Sequence, residues 1–190
     1  IPAWVEAQTR TITTVLEQSV HRQTAFFEPG SRVTGTEYVN IVDLFRESVA
    51  GARVVTLNGT VCDSSIKALY RDLIPIAKDA GAHTILDSHG PEFALGLEAV
   101  PYMVKPNVPE TEELFGYSLE TDDAKWQAIA QFHTIGIELV ALSLGERGVF
   151  VSRGHERLHV VPPSIDEINP VGSGDALVAG FAIGLLEGMP

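Results

Sequence analysis

Near its C-terminal end the chain reads Asn169-Pro170-Val171-Gly172-Ser173-Gly174-Asp175, followed by an apolar run that reaches Gly188. Two glycines around a serine, then at once a carboxylate and a helix-forming stretch, combine two devices. Gly172, Ser173 and Gly174 would turn several backbone N–H groups toward the positive end of a helix, making a hole for an anion. Asp175 would stand in the first turn beside that hole, where the helix dipole favours its ionised form. A carboxylate next to a place where negative charge develops fits phosphoryl transfer. It takes the proton of an attacking hydroxyl while backbone donors hold the transferring group. The same residues also read more plainly as a glycine-bearing helix cap, in which Ser or Asp satisfies first-turn N–H groups.

Four more loops carry related residue types: Asn58-Gly59-Thr60, Asp87-Ser88-His89-Gly90, Lys105-Pro106-Asn107-Val108-Pro109-Glu110 and Ser143-Leu144-Gly145-Glu146-Arg147-Gly148. Glycines let backbone donors approach phosphate oxygens, hydroxyls add further donors, and carboxylates hold a metal or its waters. Each loop alone is an ordinary turn; five of them ask for a common cause. There is no GxxxxGK[ST], so a P-loop is excluded. GSGDAL lacks the third glycine of GxGxxG and does not open the first strand–helix unit, which argues against a dinucleotide site.

The elements between these loops explain how they could meet. Residues 9–17 and 22–28, rich in β-branched and aromatic side chains, predict two antiparallel strands joined by a polar turn and closed by Glu28-Pro29-Gly30. Helical periodicity then covers 36–49, 65–80 (with Pro75 as a kink), 110–115, 122–135 and a last helix from about Ser173. Apolar strand-like runs occupy 53–58, 83–87, 102–105 and 138–144, and 148–152 with 158–161 form a hairpin. Strands alternating with helices mean an α/β fold with a mostly parallel sheet covered on both faces. Ligands then bind where C-terminal strand ends run into loops, which is where all five motifs fall.

Composition narrows the partners. A net charge of −12 leaves no basic stripe for nucleic acid, and no apolar run approaches a membrane span. Lacking a basic-then-apolar leader, the chain is expected in the cytoplasm. The single cysteine, Cys62, reads as a buried, inert thiol, and the six histidines as structural or surface residues rather than metal ligands. Trp4 and Trp126 read as packing residues, Phe26-Phe27 as strand core or an association face, and Asp122-Asp123 as a helix N-terminal charge pair.

Taken together, the motifs resemble the PfkB/ribokinase family of carbohydrate kinases. GSGD at 172–175 looks like the family's GAGD signature, VKPNVPE at 104–110 like its KPNxxE, and SLGERG at 143–148 like its nucleotide loop. LNGT at 57–60 and LDSHG at 86–90 fall where its substrate-side and metal-side loops do, and the NPV before GSGD and TRT at 9–11 lean toward the phosphosugar branch, the tagatose-6-phosphate kinase and 1-phosphofructokinase group. The resemblance runs end to end. It implies a ribokinase-like fold, ATP and Mg2+ as cofactors, Asp175 as catalytic base and Gly172, Ser173 and Gly174 as anion hole. It further implies nucleotide-side roles for Lys105, Asn107, Ser143, Gly145 and Gly148, metal-side roles for Asn107 and Glu110, and sugar contacts from Asn58, Gly59 and Thr60. Arg10 would reach the sugar phosphate, a group that a guanidinium grips bidentately. Residues 1–30 would form part of a small β lid, able to support a homodimer, and 31–190 an α/β core incomplete at both ends.

The family's first third, with its opening strand and sugar-gripping segments, has no counterpart here, nor do the helices beyond GSGD. The Ile1-Pro2 start and the Gly188-Met189-Pro190 end also read as cuts in a longer chain. Where the family usually carries LPPG, this chain has Val61-Cys62-Asp63-Ser64, and Asn169 takes the place of an acidic residue. The expected reaction is ATP-dependent phosphorylation of a phosphorylated ketohexose, giving a bisphosphate. The alternatives are a kinase of an unphosphorylated sugar or nucleoside, for which Arg10 has no purpose, and a truncated, non-catalytic nucleotide-binding module. An unrelated α/β phosphate-binding enzyme is a further option.

Overall fold

The computed structural model describes residues 2–17, 22–164 and 171–189. The expectations attached to Asn169, Pro170 and His21, and to the polar turn between the first two strands, lie outside those residues. Strands β1 (Ile12–Glu17) and β2 (Arg22–Phe27) pair antiparallel as a separate two-stranded sheet. Every residue of both strands is exposed, so Phe26 and Phe27 are not core side chains.

The main sheet has six strands in the order β3 (Val54–Asn58), β4 (His83–Asp87), β5 (Met103–Val104), β6 (Leu139–Ser143), β7 (Val149–Arg153) and β8 (Glu156–Val160). The first four run parallel; β7 and β8 return antiparallel as a hairpin. Because successive residues of β4, β5 and β6 (Thr84 to Leu86, Met103 and Val104, Leu139 to Leu142) are buried, both faces of the sheet must be covered. Leu57, Leu86, Val104, Val140 and Leu142 meet Leu73, Ile74, Phe93, Ile129 and Phe132 on one face. These partners come from α2 (Leu69–Asp79), α3 (Gly90–Glu98) and α5 (Asp122–Ile135). On the other face Ile85, Met103, Leu139 and Ala141 meet Val178 of α6 (Ser173–Glu187).

Two remaining helices set loops in place. Helix α1 (Gly35–Ser48) opens on a capping box between Thr34 and Glu37, and α4 (Val108–Phe115) on one between Asn107 and Glu110. Helix α3 escapes sequence reasoning. Its Gly90, Pro91 and Gly96 lower helix propensity, yet Phe93 and Leu97 anchor it in the core, and tertiary burial overrides the local preference. The long helix expected over 65–80 is split into a 3-10 turn at Ser64–Ile66 and α2, which carries Pro75 inside it.

Two expectations need correction. Cys62 is exposed rather than buried, because it lies in the surface loop after β3. Trp4 is 84% exposed, so it is not a packing residue. Gly30, read as closing the strand pair, has a packing duty too: a Cβ there would sit 1.6 Å from the Cys62 carbonyl oxygen, so glycine lets the hairpin's exit press against the loop after β3. By contrast Trp126 packs as expected, stacked on Phe150 with centroids 4.4 Å apart. His133, His159 and His83 act structurally, by hydrogen bonds to Ile137 O and Ser152 Oγ, a hydrogen bond to Arg147 O, and stacking on Tyr102 respectively.

Asp63 fastens the segment between hairpin and core. Its carboxylate accepts from Ser65 N at 2.9 Å and from Val33 N at 2.8 Å, and those backbone donors hold its pKa below the ordinary 3.8. A carboxylate whose folded pKa is depressed stabilises above its unfolded value and loses that contribution as pH falls through the folded one. Asp63→Asn should therefore be less stable than the parent at pH 7, with the difference closing as the pH falls below 3.8, read from urea midpoints across that range.

Candidate phosphate-binding edge and charge cluster

The sheet's C-terminal edge collects the loops. On parallel strands, residues in register share a face, and Leu86 lies opposite Val104. One step on, Asp87 and Lys105 emerge side by side on the face that Ile85 and Met103 turn toward α6. Lys105 Nζ bonds Asp87 Oδ1 at 3.1 Å, with the lysine side chain 8% and the aspartate 17% exposed. Burial raises the Asp87 pKa; the ammonium of Lys105 opposes this, Asp175 adds to it, and His89 opposes it weakly. The ion pair and the upward shift point opposite ways, and desolvation wins because both groups sit in little water.

Helix α6 brings the glycine turn to the same place. Gly172 is its N-cap in the left-handed region, φ 87°, and Ala176 N closes the first turn on Gly172 O at 2.9 Å. Gly174 faces the buried lysine so closely that a Cβ there would lie 3.3 Å from Lys105 Nζ. Asp175 stands exposed in the first turn. An exposed carboxylate, a nearly buried ammonium and glycine backbone thus share one helix N-terminus, which favours anions.

On the next strands, Asn107 and Glu110 lock together. Glu110 N donates to Asn107 Oδ1 at 2.9 Å, and Asn107 N to Glu110 Oε2 at 2.8 Å. Asn107 pairs with Ser143 across a parallel bridge, and Ser143 N donates to Pro106 O at 2.9 Å. Gly145, φ 63°, starts the following 3-10 turn, and Gly148 N bonds its carbonyl oxygen at 2.9 Å. Gly148 has a packing duty as well: a Cβ there would lie 1.9 Å from Val160 O of β8.

Toward β3, Arg10 Nη2 donates to Thr60 Oγ1 at 3.0 Å, so the residue ahead of the hairpin and the loop after β3 meet. Gly59, φ 82°, donates its N–H to Asp87 O at 2.8 Å, joining this loop to the charge cluster. Asn58 is exposed beside it. Three partners were not singled out as site residues from the sequence. Asp87 appeared only as part of a loop, although a carboxylate closing an apolar strand was a usable signal. Tyr70, which bonds the end of β3 and the loop after it, reads as an ordinary helix position, and Glu92, which bonds the same loop, falls in a stretch with no helical signal.

Asn107 and Glu110 offer side-chain oxygens, and no group of three or more His, Cys, Asp or Glu side chains gathers for a metal among the described residues. That donor set suits magnesium, which keeps several waters and binds through one or two carboxylates plus phosphates. An apolar cleft of about 400 Å3 between α6 and β6–β8 is lined by side chains such as Val149, Val151, Leu158 and Phe181 and by none of the phosphate-type loops.

Residues 3–190 match the pfkB family carbohydrate kinase profile. Tagatose-6-phosphate kinase of Staphylococcus epidermidis is 31% identical over 190 residues, covering 96% of this chain and 59% of the relative. Phosphofructokinase-2 from Escherichia coli, in complex with substrates and products, superposes with a TM-score of 0.82 at 24% identity, over 94% of this chain and 59% of the other. Arabidopsis thaliana ribokinase, complexed with ribose and ATP, gives 0.71 at 22% identity, over 96% and 58%. The chain belongs to the pfkB family of carbohydrate kinases and has the ribokinase-like α/β fold, and it spans about 59% of the length of the curated relative it matches.

Removing the Lys105 ammonium leaves Asp87 buried next to Asp175 without its cation. Lys105→Met should cost about 3–5 kcal/mol at pH 7.5, the usual penalty for breaking a buried pair. Burial and Asp175 then both push the Asp87 pKa up, so protonation relieves the strain and the cost shrinks as pH falls toward 5. Urea unfolding of both proteins at the two pH values checks the size and the sign.

Proposed function

We propose that the chain is the core of an ATP-dependent kinase that phosphorylates a hydroxyl of a phosphorylated ketohexose, tagatose 6-phosphate or a fructose phosphate, giving a bisphosphate and ADP. The observation that carries this reading is the convergence of Gly174, Lys105 and Asp87 at the N-terminus of α6, with Asp175 in its first turn and the Arg10–Thr60 pair on the same sheet edge. The kinase names of the relatives agree with it.

In this reading Asp175 accepts the proton of the attacking sugar hydroxyl. The hydroxyl oxygen forms a bond to the γ-phosphorus of ATP while the bond to the ADP oxygen breaks. Backbone N–H groups of Gly172, Ser173 and Gly174 and the Lys105 ammonium hold the transferring phosphoryl oxygens, with no reorganisation needed at the moment of reaction. Ser143, Gly145 and Gly148 shape the turn that receives the nucleotide phosphates, beside Asn107. Glu110, whose Oε2 is committed to the capping box, would offer Oε1 to a hydrated magnesium. Bound there, magnesium would neutralise charge on the nucleotide phosphates. Arg10 grips the sugar phosphate, and Asn58, Gly59 and Thr60 face the sugar. An unphosphorylated sugar would leave the Arg10 guanidinium without a purpose.

Residues 1–30 serve as part of a lid and 31–190 as the nucleotide- and substrate-binding core. The exposed strand pair, with Val15, Leu16, Phe26 and Phe27 uncovered, supports a homodimer formed through that lid. A net charge of −12 speaks against nucleic acid, and no helix among the described residues is long and apolar enough to cross a membrane. We place the protein in the cytoplasm. The 59% span favours one second reading, a module that binds nucleotide without turnover.

ADP release with magnesium and ATP, measured against tagatose 6-phosphate, fructose 6-phosphate, fructose 1-phosphate and fructose, separates these readings. Turnover should appear with a phosphosugar and drop by about 10²–10⁴ in Asp175→Asn, the range of general-base catalysis. ATP affinity should change little. ATP binding without turnover on any sugar would favour the module instead.

A further inference from the structure

The loop that meets Arg10 is held from beneath by a residue for which neither the sequence motifs nor the reaction has a use. Tyr70, in the first turn of α2, is 7% exposed. Its hydroxyl lies 2.8 Å from Asn58 O and 2.9 Å from Gly59 O, one donor shared by two consecutive carbonyls. Burial, with the carboxylates of Glu92 and Asp87 adding to it, raises its pKa to about 12, so the hydroxyl remains a donor through the physiological range. Across the loop, Glu92 is 9% exposed and its Oε1 accepts from Val61 N at 3.3 Å. Gly59 N is tied to Asp87 O at 2.8 Å. Both carbonyls, and the N–H groups of Gly59 and Val61, are thus committed to the core. The groups left facing outward are the Asn58 and Thr60 side chains, and Thr60 Oγ1 receives Arg10.

We infer that Tyr70 is the positioning residue of the phosphosugar side: its hydroxyl, backed by Glu92, fixes the 58–61 backbone so that Thr60 and Arg10 present a preformed grip to a sugar phosphate. This rests on the phosphosugar reading above. A backbone pinned before the ligand arrives spends no binding energy on ordering itself, whereas a loosened one does. Tyr70 touches no substrate; it acts through the loop.

Tyr70→Phe removes one oxygen and keeps the ring in the core. Tyr38→Phe is its control, since the Tyr38 hydroxyl also bonds α2, donating to Asp72 Oδ2 at 2.6 Å, but away from the loop. Titration calorimetry on the full chain, with fructose 6-phosphate, tagatose 6-phosphate and magnesium-ATP as separate probes, reads the split. Tyr70→Phe should weaken phosphosugar binding by about tenfold, as expected for a lost buried hydrogen bond. Its magnesium-ATP affinity should stay within twofold, and Tyr38→Phe should move neither. Equal loss for sugar and nucleotide would mean a general structural role and would overturn the inference. So would unchanged phosphosugar affinity, leaving the phosphosugar reading intact. A parent chain that binds magnesium-ATP and neither phosphosugar would remove that reading and this inference with it.

Discussion

A nearly buried ammonium organises one end of this molecule. Lys105 leaves the sheet just past β5, its side chain 8% exposed, and a charge there is tolerable only beside a counter-ion. Asp87 supplies that counter-ion from the neighbouring strand, and parallel register puts the two on one face without any loop having to reach. A Cβ at Gly174, in the first turn of α6, would lie 3.3 Å from Lys105 Nζ, so glycine there leaves the ammonium its room close under the helix end. Fixing Lys105 therefore fixes how close the helix N-terminus approaches the sheet, and with it where Asp175 stands.

Electrostatics make the arrangement more than packing. Asp87, Asp175 and Lys105 bring two negative charges and one positive to a helix end whose dipole adds partial positive charge. Burial already pushes Asp87 toward its neutral form, so the cluster is poised and not saturated. In a protein of net charge −12, any grip on an anion must come from such local devices. The Arg10–Thr60 pair stands on the same edge, reached through the Gly59–Asp87 backbone bond, and the proposed function makes it a second such device.

Much of this was legible in the sequence because the signals were local. Apolar runs gave β4 over His83–Asp87, and periodicity gave α5 over Asp122–Ile135 with the observed bounds. The Gly172-Ser173-Gly174 turn announced the start of α6 at Ser173. Helix α3 stayed hidden because only the core contacts of Phe93 and Leu97 outweigh its glycines and proline. Tyr70 stayed hidden for a related reason: an aromatic residue on an amphipathic helix reads as core, and nothing nearby tells that its hydroxyl bonds Asn58 O and Gly59 O. Cys62 and Trp4 depart from their sequence reading because small and aromatic residues are usually inside, whereas Cys62 lies in the surface loop after β3 and Trp4 stands exposed ahead of the hairpin.

The central claim is that one sheet edge carries two separate anion grips, one at the α6 N-terminus and one at Arg10 and Thr60. Competition calorimetry tests it most directly: fructose 6-phosphate is titrated into the chain alone and into the chain saturated with a non-hydrolysable ATP analogue and magnesium. Two grips predict that the phosphosugar still binds, with one site per chain, when the nucleotide is in place. Loss of phosphosugar binding in proportion to nucleotide occupancy would mean a single shared anion site, and the account would be wrong.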